Sequence, residues 1–251
     1  IRDCLVSRGL GDVYKRQEHM RTQLEGKAYV ERYVHTLTHE LKSPLAAIRG
    51  ASELLQGPMS EEQRQRFAGN IESESARMQQ LIERLLGLAQ VEQRQGLEDQ
   101  QQVALAQMID ELLLARAARI ESAGLQVRQR VPAMARLHCE PFLMRQAIGN
   151  LLENALDFTP PGGLLAFELE HQQQRVALSL YNQGEAIPDY ALGRLSERFY
   201  SLPRPGTGRK STGLGLNFVE EVMQLHGGTL EIANVEDGVR VRLWLPANRL
   251  D

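Results

Sequence analysis

The apolar positions of the first third of the chain follow helical spacing. Val30, Val34, Leu37, Leu41, Leu45, Ile48, Ser52 and Leu55 recur in steps of four and three, which places them on one stripe of a helix over about Met20 to Gln56. Gly57-Pro58 ends that helix. Ser60, with Gln63 three residues on, is an N-cap with its capping-box partner and opens a second helix. Its stripe of Phe67, Ile71, Ser75, Met78, Leu81 or Ile82, Leu85 and Leu88 repeats the same steps. Two amphipathic helices joined by a tight turn make a hairpin, and one hairpin cannot bury both stripes. Pairing with a second copy as a homodimeric four-helix bundle is the expected solution; a lone hairpin packed on the following domain is the alternative.

From Gln90 to Gln102 the chain turns polar, rich in Gln and Glu, and the stripe dies out. A linker at 97–102 therefore separates a helical domain at 18–96 from a second domain at 103–251. The second domain alternates its periodicity. Helices are predicted at Leu105 to Ser122, Phe142 to Phe158, Tyr190 to Phe199 and Leu214 to Leu225; strands at Leu125 to Val131, Leu164 to Glu170 and Val176 to Tyr181. Thr229 to Ala233 and Val239 to Leu245 close the chain as a hairpin through Asp237-Gly238. That order suits an α/β sandwich, a sheet with helices stacked on one face. The first 17 residues, with glycines at 9 and 11 and no helical spacing, fit neither domain. They are expected to be extraneous and unstructured.

Charge narrows the classes of function. Twenty-nine Lys and Arg against 32 Asp and Glu leave a net charge of -3, so no basic footprint for nucleic acid is present. Two cysteines, Cys4 and Cys139, make neither a disulfide framework nor a cysteine-rich metal site, and suit a reducing compartment. No run of about 18 apolar residues spans a membrane in this chain.

The candidate chemistry begins at His39. At about 100° per residue it points away from Leu37 and Leu41, so its imidazole faces water while the stripe is buried elsewhere. The adjacent Glu40 can take the proton from one ring nitrogen and leave the other basic, a plausible nucleophile for phosphorus. An exposed histidine as mere surface is the plain alternative. His35 and His39 are i, i+4, a spacing that binds zinc, but no third ligand lies nearby. Pro44 inside the helix costs roughly 3 kcal/mol and frees a carbonyl near position 40, which points to a wanted bend.

Four segments of the second domain carry further candidates. Asn150 and Asn154 share a helix face; their amide oxygens are neutral, hard ligands suited to a Mg²⁺ that already carries phosphates, and suit a buried hydrogen-bond network equally. Asn182, Gly184 and Ala186 follow a strand, where a glycine lets backbone approach a planar base and the Asn182 amide can bond it; an ordinary turn is the alternative. Glu197-Arg198-Phe199-Tyr200 leads into a loop from Ser201 to Thr212 with Arg204, Arg209 and Lys210, which reads as a cationic lid over phosphates or as a solvated loop. Gly213-Leu214-Gly215-Leu216 opens a helix whose bare amides form an anion site. Gly208-Arg209-Lys210-Ser211 is not a P-loop, because Arg209 interrupts it, and Phe218 occupies the third glycine place of a dinucleotide fingerprint.

Taken in order, His39-Glu40-Leu41-Lys42-Ser43-Pro44-Leu45 resembles the phosphoacceptor box of dimeric sensor histidine kinases. The four later segments resemble the N, G1, F and G2 boxes of that family's ATP-binding domain, a Bergerat-type fold shared with Hsp90, MutL and gyrase. The resemblance implies autophosphorylation of His39 by ATP with Mg²⁺, with Glu40 as base, then transfer to an aspartate on a response-regulator receiver. It implies metal contacts at Asn154 and Asn150 and nucleotide contacts at Asn182, Gly184, Ala186, Tyr200, Arg209, Lys210, Thr212, Gly213, Leu214 and Gly215. It also implies that the chain is the cytoplasmic part of a bacterial inner-membrane protein, joined to the membrane only through a missing N-terminal sensor region. Departures from the pattern are informative. Asn182 replaces the Asp that accepts the adenine amino group, which keeps an acceptor and loses a charge, so adenine binding is weakened. Ala186 replaces a glycine, and Asp157 stands where Lys is common. Arg204, Arg209 or Lys210 stands in for the Arg usual at Ser201. Ser43 keeps a hydroxyl where many members use Thr or Asn to position a water for dephosphorylating the partner. Two rival readings follow: a dimeric scaffold that binds nucleotide without phosphotransfer, and an ATPase that works by lid closure.

Overall fold

A computed structural model describes residues 34–172, 174–205, 208 and 211–250. The readings for residues 1–17, the helix start at Met20, Val30, Arg209 and Lys210 lie outside the described residues. The chain divides between Gln80 and Leu81 into two compact units.

In the first unit, helix α1 is described over 34–55 and runs on through Pro44. Helix α2 (Glu61–Glu92) begins as the capping box requires: the Gln63 N–H donates to Ser60 Oγ at 3.3 Å, and the Ser60 N–H to Gln63 Oε1 at 3.1 Å. Pro44 and Ala51 are buried, and Leu37, Leu41, Ile48, Phe67, Ile71 and Met78 are half-buried along the two stripes. The stripes are not fully covered. Leu45 is 56% exposed and Val34 53%, so a band of apolar surface is left open on α1.

The second unit takes in the last three turns of α2. Leu81, Leu88 and Val91 are buried there, while Ile82 is exposed, which settles the ambiguous place in the stripe in favour of Leu81. A five-stranded sheet of order β2-β4-β5-β7-β6 is formed by β2 (Gln126–Arg130), β4 (Leu164–Gln172), β5 (Arg175–Gln183), β6 (Thr229–Val235) and β7 (Gly238–Pro246). Only β2 and β4 run parallel. Strand alternation sends Leu165, Phe167, Val176, Leu178, Leu180, Leu243 and Leu245 to the buried face, which packs on α5 (Pro141–Phe158) and α7 (Gly215–Leu225). The opposite face carries ion pairs: Arg130 with Glu168, and Arg242 with both Glu170 and Glu231.

Three expectations fail. The helix predicted over 105–122 is two, α3 (Leu105–Leu114) and α4 (Ala117–Ser122). It breaks because the Arg116 guanidinium folds back on Leu112 O at 3.0 Å and on Glu153 at 2.7 Å, while the Arg116 N–H bonds Leu113 O in a tightened turn. The helix predicted over 190–199 is only α6 (Asp189–Leu192), and at the far end of that span Phe199 takes a left-handed φ of 62° that no helix accommodates. A small antiparallel pair joins β1 (Gln101–Ala104), which begins in the predicted linker, with β3 (Arg136–Cys139), a stretch for which no element was predicted. Gln101 and Gln102 are exposed, so the strand shows no apolar alternation to read.

The turn into α5 is held by a buried polar group. His226, fully buried at the end of α7, donates from Nδ1 to Val222 O at 2.7 Å, and its Nε2 accepts the Glu140 N–H at 3.1 Å. That pairing requires the neutral ring. The Glu140 carboxylate in turn accepts from Arg94 at 2.6 Å and from the Glu98 N–H at 3.1 Å. Burial pushes the neighbouring Cys139 thiol up to about 12, which makes it packing rather than a nucleophile.

Burial, reinforced by the Arg249 charge and opposed by the Val222 carbonyl and Glu140, holds the His226 pKa below its ordinary value near 6.5. In the window between the lowered folded value and about 6.5, the unfolded chain binds the extra proton. Stability is then present above about pH 6.5 and lost as pH falls. Unfolding measured from pH 7 to 5 will show this loss, and His226→Gln, which cannot titrate, will flatten it.

Candidate functional site

A cavity of about 330 Å³ opens between the helices and the sheet of the second unit. Helix α5 brings Leu151, Asn154, Ala155 and Phe158 to it, β5 brings Leu180 and Asn182, and β6 and β7 bring Ile232, Val239 and Val241. Ala186, Tyr200, Ser201, Gly213, Gly215 and Leu216 complete its rim. An apolar chamber with a few placed polar groups is the usual form of a small-molecule site.

The wall beside α7 is built by a close approach of two backbones. A Cβ on Gly213 (φ 64°) would meet the Phe199 carbonyl carbon at 2.5 Å and the Tyr200 nitrogen at 2.6 Å. The Phe199 N–H donates to Gly213 O at 3.0 Å across the same contact. Tyr200, which follows, stacks under Arg194, whose guanidinium lies 4.4 Å from the ring centre. Gly215 then opens α7, and Leu214 before it caps with no side chain, so the first amides of α7 keep their anion-binding capacity. Leu214 itself is buried and does not line the cavity. Only its backbone contributes to the turn.

Asn154 lines the cavity, and Asn150 lies one turn back on α5 with its amide carbon 3.8 Å from the place of a Gly215 Cβ. Neither amide is taken by a partner among the described residues. Two uncommitted, half-buried amide oxygens beside an anion-binding helix start fit a Mg²⁺ that arrives with phosphates. No group of three His, Cys, Asp or Glu side chains among the described residues holds a metal by itself, His35 and His39 included.

Some predicted contacts serve other ends. Gly184 does not line the cavity: a Cβ there would meet Phe158 O at 2.7 Å, so the glycine lets β5 pass the end of α5. Thr212 accepts a hydrogen bond from Arg84 of α2 at 3.2 Å. Asp157, where a phosphate-binding lysine was looked for, is nearly buried and takes Arg119 and Arg204 at 2.5 Å each. Arg204 is therefore held on α5. Ser201 Oγ clasps Ser211 O at 2.9 Å across the base of the same loop.

Sequence reading missed Asn234. Its Oδ1 accepts the Ile187 N–H and its Nδ2 donates to Ile187 O, both at 2.8 Å, which fixes the turn after β5. An asparagine inside a strand was the available signal.

In the first unit His39 is exposed, as its helical angle demands, and its ring lies 4.6 Å from that of His35. Glu40 is half-buried and lies 3.8 Å from Arg77 of α2, a partner with no local sequence signal. Ser43 is exposed one turn beyond His39, and the following Pro44 is buried.

An exposed histidine on a helical hairpin and an α/β sandwich whose cavity is rimmed by a glycine-opened, uncapped helix match the two modules of a histidine kinase. Residues 30–94 match the His Kinase A (phospho-acceptor) domain, and residues 139–249 match the histidine kinase-, DNA gyrase B-, and HSP90-like ATPase family. The two matches together span more than half of the chain, which belongs to the histidine kinases. It is 47% identical over 224 residues to Sensor protein CreC of Escherichia coli (strain K12), which covers 88% of this chain and 46% of that protein. The chain spans about half the length of the curated relatives it matches. Among solved structures, histidine kinase ThkA in complex with response regulator protein TrrA superposes with a TM-score of 0.72 at 19% identity, over 92% of this chain and 66% of that one. Full-length ShkA in complex with AMPPNP gives 0.61 at 21% identity, over 84% and 45%. Both show the same fold.

The contact at Gly213 predicts a sharp effect. Gly213→Ala will lower the thermal midpoint of the second unit, at a cost above about 1–2 kcal/mol for the left-handed φ alone. It will also weaken nucleotide binding at least tenfold, measured by titration calorimetry.

Proposed function

We propose that this chain binds ATP with Mg²⁺ in the cavity of the second unit and transfers the γ-phosphoryl group to His39, from which it passes to an aspartate of a response-regulator receiver. The observation that carries the reading is the joining in one chain of an exposed histidine with an adjacent, half-buried glutamate on an amphipathic hairpin to a cavity whose rim is an uncapped, glycine-opened helix. Bound Mg²⁺ would neutralise phosphate charge, with Asn154 and Asn150 as its protein ligands. The amides at Gly213 to Gly215 would hold the phosphates, and Tyr200 and Asn182 would seat the nucleoside. His39 attacks in line while Glu40, oriented by Arg77, takes the ring proton. Ser43 is placed to orient a water in the reverse, dephosphorylating direction. Positioning supplies most of the catalysis, since phosphoryl transfer leaves little covalent work to the protein.

The reading divides the chain into a dimerisation and phosphotransfer domain at 18–96 and an ATP-binding domain at 103–251. The open apolar band of Val34 and Leu45 supports a homodimer, in which a second hairpin covers it. The solved complexes of ThkA with a response regulator and of ShkA with AMPPNP support the partner and the nucleotide. The likeness to Sensor protein CreC, of which this chain spans 46%, supports a place beside a sensor region. A second reading, a dimeric scaffold that binds nucleotide without phosphotransfer, rests on Asn182 and Ala186.

The test is incubation of the chain with Mg²⁺ and γ-labelled ATP beside His39→Gln. Acid-labile, base-stable label on the parent and none on the variant is the expected result. Nucleotide binding without label, in a folded dimer, selects the scaffold.

A further inference from the structure

The base end of the cavity is unusual in one respect. Asn182 lies on the helix-facing side of β5, in register with Leu165 of β4 and Val239 of β7, and is 7% exposed. Around it the cavity wall is apolar: Ala155, Leu180, Ile232, Val239 and Val241. The other polar side chains on the wall are half-buried or exposed, so Asn182 is the one buried polar side chain among the described lining residues. Its amide has no hydrogen-bond partner among the described residues. The amide is not among the sealed, unpaired polar groups, so it faces the open cavity, where a ligand can bond it, and nothing on the protein side fixes which end is oxygen and which is nitrogen.

Those two properties decide what the amide can read. A 6-aminopurine presents an N–H donor at position 6 beside an acceptor at N1. A 6-oxopurine presents the reverse, an acceptor at position 6 beside an N–H donor at N1. A carboxylate offers acceptors only; held opposite position 6, where the family's Asp accepts the amino group, it is repelled by a 6-oxo group. An amide offers one donor and one acceptor side by side, and its terminal torsion is broad and two-fold, so a half-turn exchanges them. Resting on the nucleotide reading above, we infer that Asn182 makes the site permissive at position 6 of the purine, so that it binds 6-oxopurine triphosphates as well as ATP. Weaker adenine binding and wider base acceptance then have one cause: the charge that would reward the amino group and penalise the oxo group is missing.

Inosine triphosphate is the probe, because it reverses the donor and acceptor at positions 6 and 1 and adds no 2-amino group. Calorimetric titration of the whole chain with MgATP and with MgITP is expected to give dissociation constants within about fivefold of each other. In Asn182→Asp the ratio is expected to move at least tenfold toward ATP, chiefly through loss of ITP binding. A parent chain that binds ATP but rejects ITP by about fiftyfold or more overturns the inference and leaves the nucleotide site standing. The same ratio in parent and variant also overturns it. Should the variant not fold, the parent ratio alone decides. A chain that binds neither nucleotide overturns the nucleotide reading and this inference with it.

Discussion

The second unit depends on one close approach, that of Gly213 to the peptide joining Phe199 and Tyr200. Phe199 is the only non-glycine residue with a positive φ among those described, and Gly213 is left-handed as well. The Phe199 conformation is unfavourable alone, whereas glycine adopts its own freely. Together they allow the Phe199 N–H to reach Gly213 O and bring Tyr200 and the start of α7 to one rim. No side chain fits at position 213, so this contact forces a glycine just before the uncapped start of α7. Bare amides and aromatic rim are thus two results of the same packing.

The other end of α7 is fixed with equal economy. His226 closes the helix by its bond to Val222 O and ties it to the first residues of α5 through the Glu140 N–H. Glu140 then holds Arg94 and Glu98, beyond the end of α2. Helices α5 and α7, which carry the asparagine pair and the uncapped amides, are therefore locked to each other at the end away from the cavity. The ion pairs of Asp157 with Arg119 and Arg204 do the same for the loop beside α5. A site held on packed helices keeps its donors in place before a ligand arrives, which is what electrostatic catalysis of phosphoryl transfer requires.

What could be read from the sequence was local. The Ser60 and Gln63 cap, the heptad-like stripes, the exposure of His39 and the five main strands all follow from spacing within a few residues, and the structure bears them out. What could not be read depends on partners far along the chain. The break at Arg116 is caused by Glu153, the use of Gly184 by Phe158 O, and the role of Asp157 by Arg119 and Arg204. None of these leaves a periodic trace. The β1 and β3 pair was missed because a strand with exposed glutamines looks like a linker. Asn182 was legible as a departure from the family's pattern, but its isolation in an apolar wall became visible only once β6 and β7 were folded against β5.

The central claim is that the cavity bounded by Asn182, Tyr200 and Gly213 is where the nucleotide sits. Amide hydrogen exchange on the whole chain, with and without saturating MgATP, tests this most directly. Slowed exchange confined to about 180–187, 199–202 and 213–217 is the result this account requires. Saturable ATP binding that leaves those three segments unchanged, and protects amides elsewhere, would contradict it.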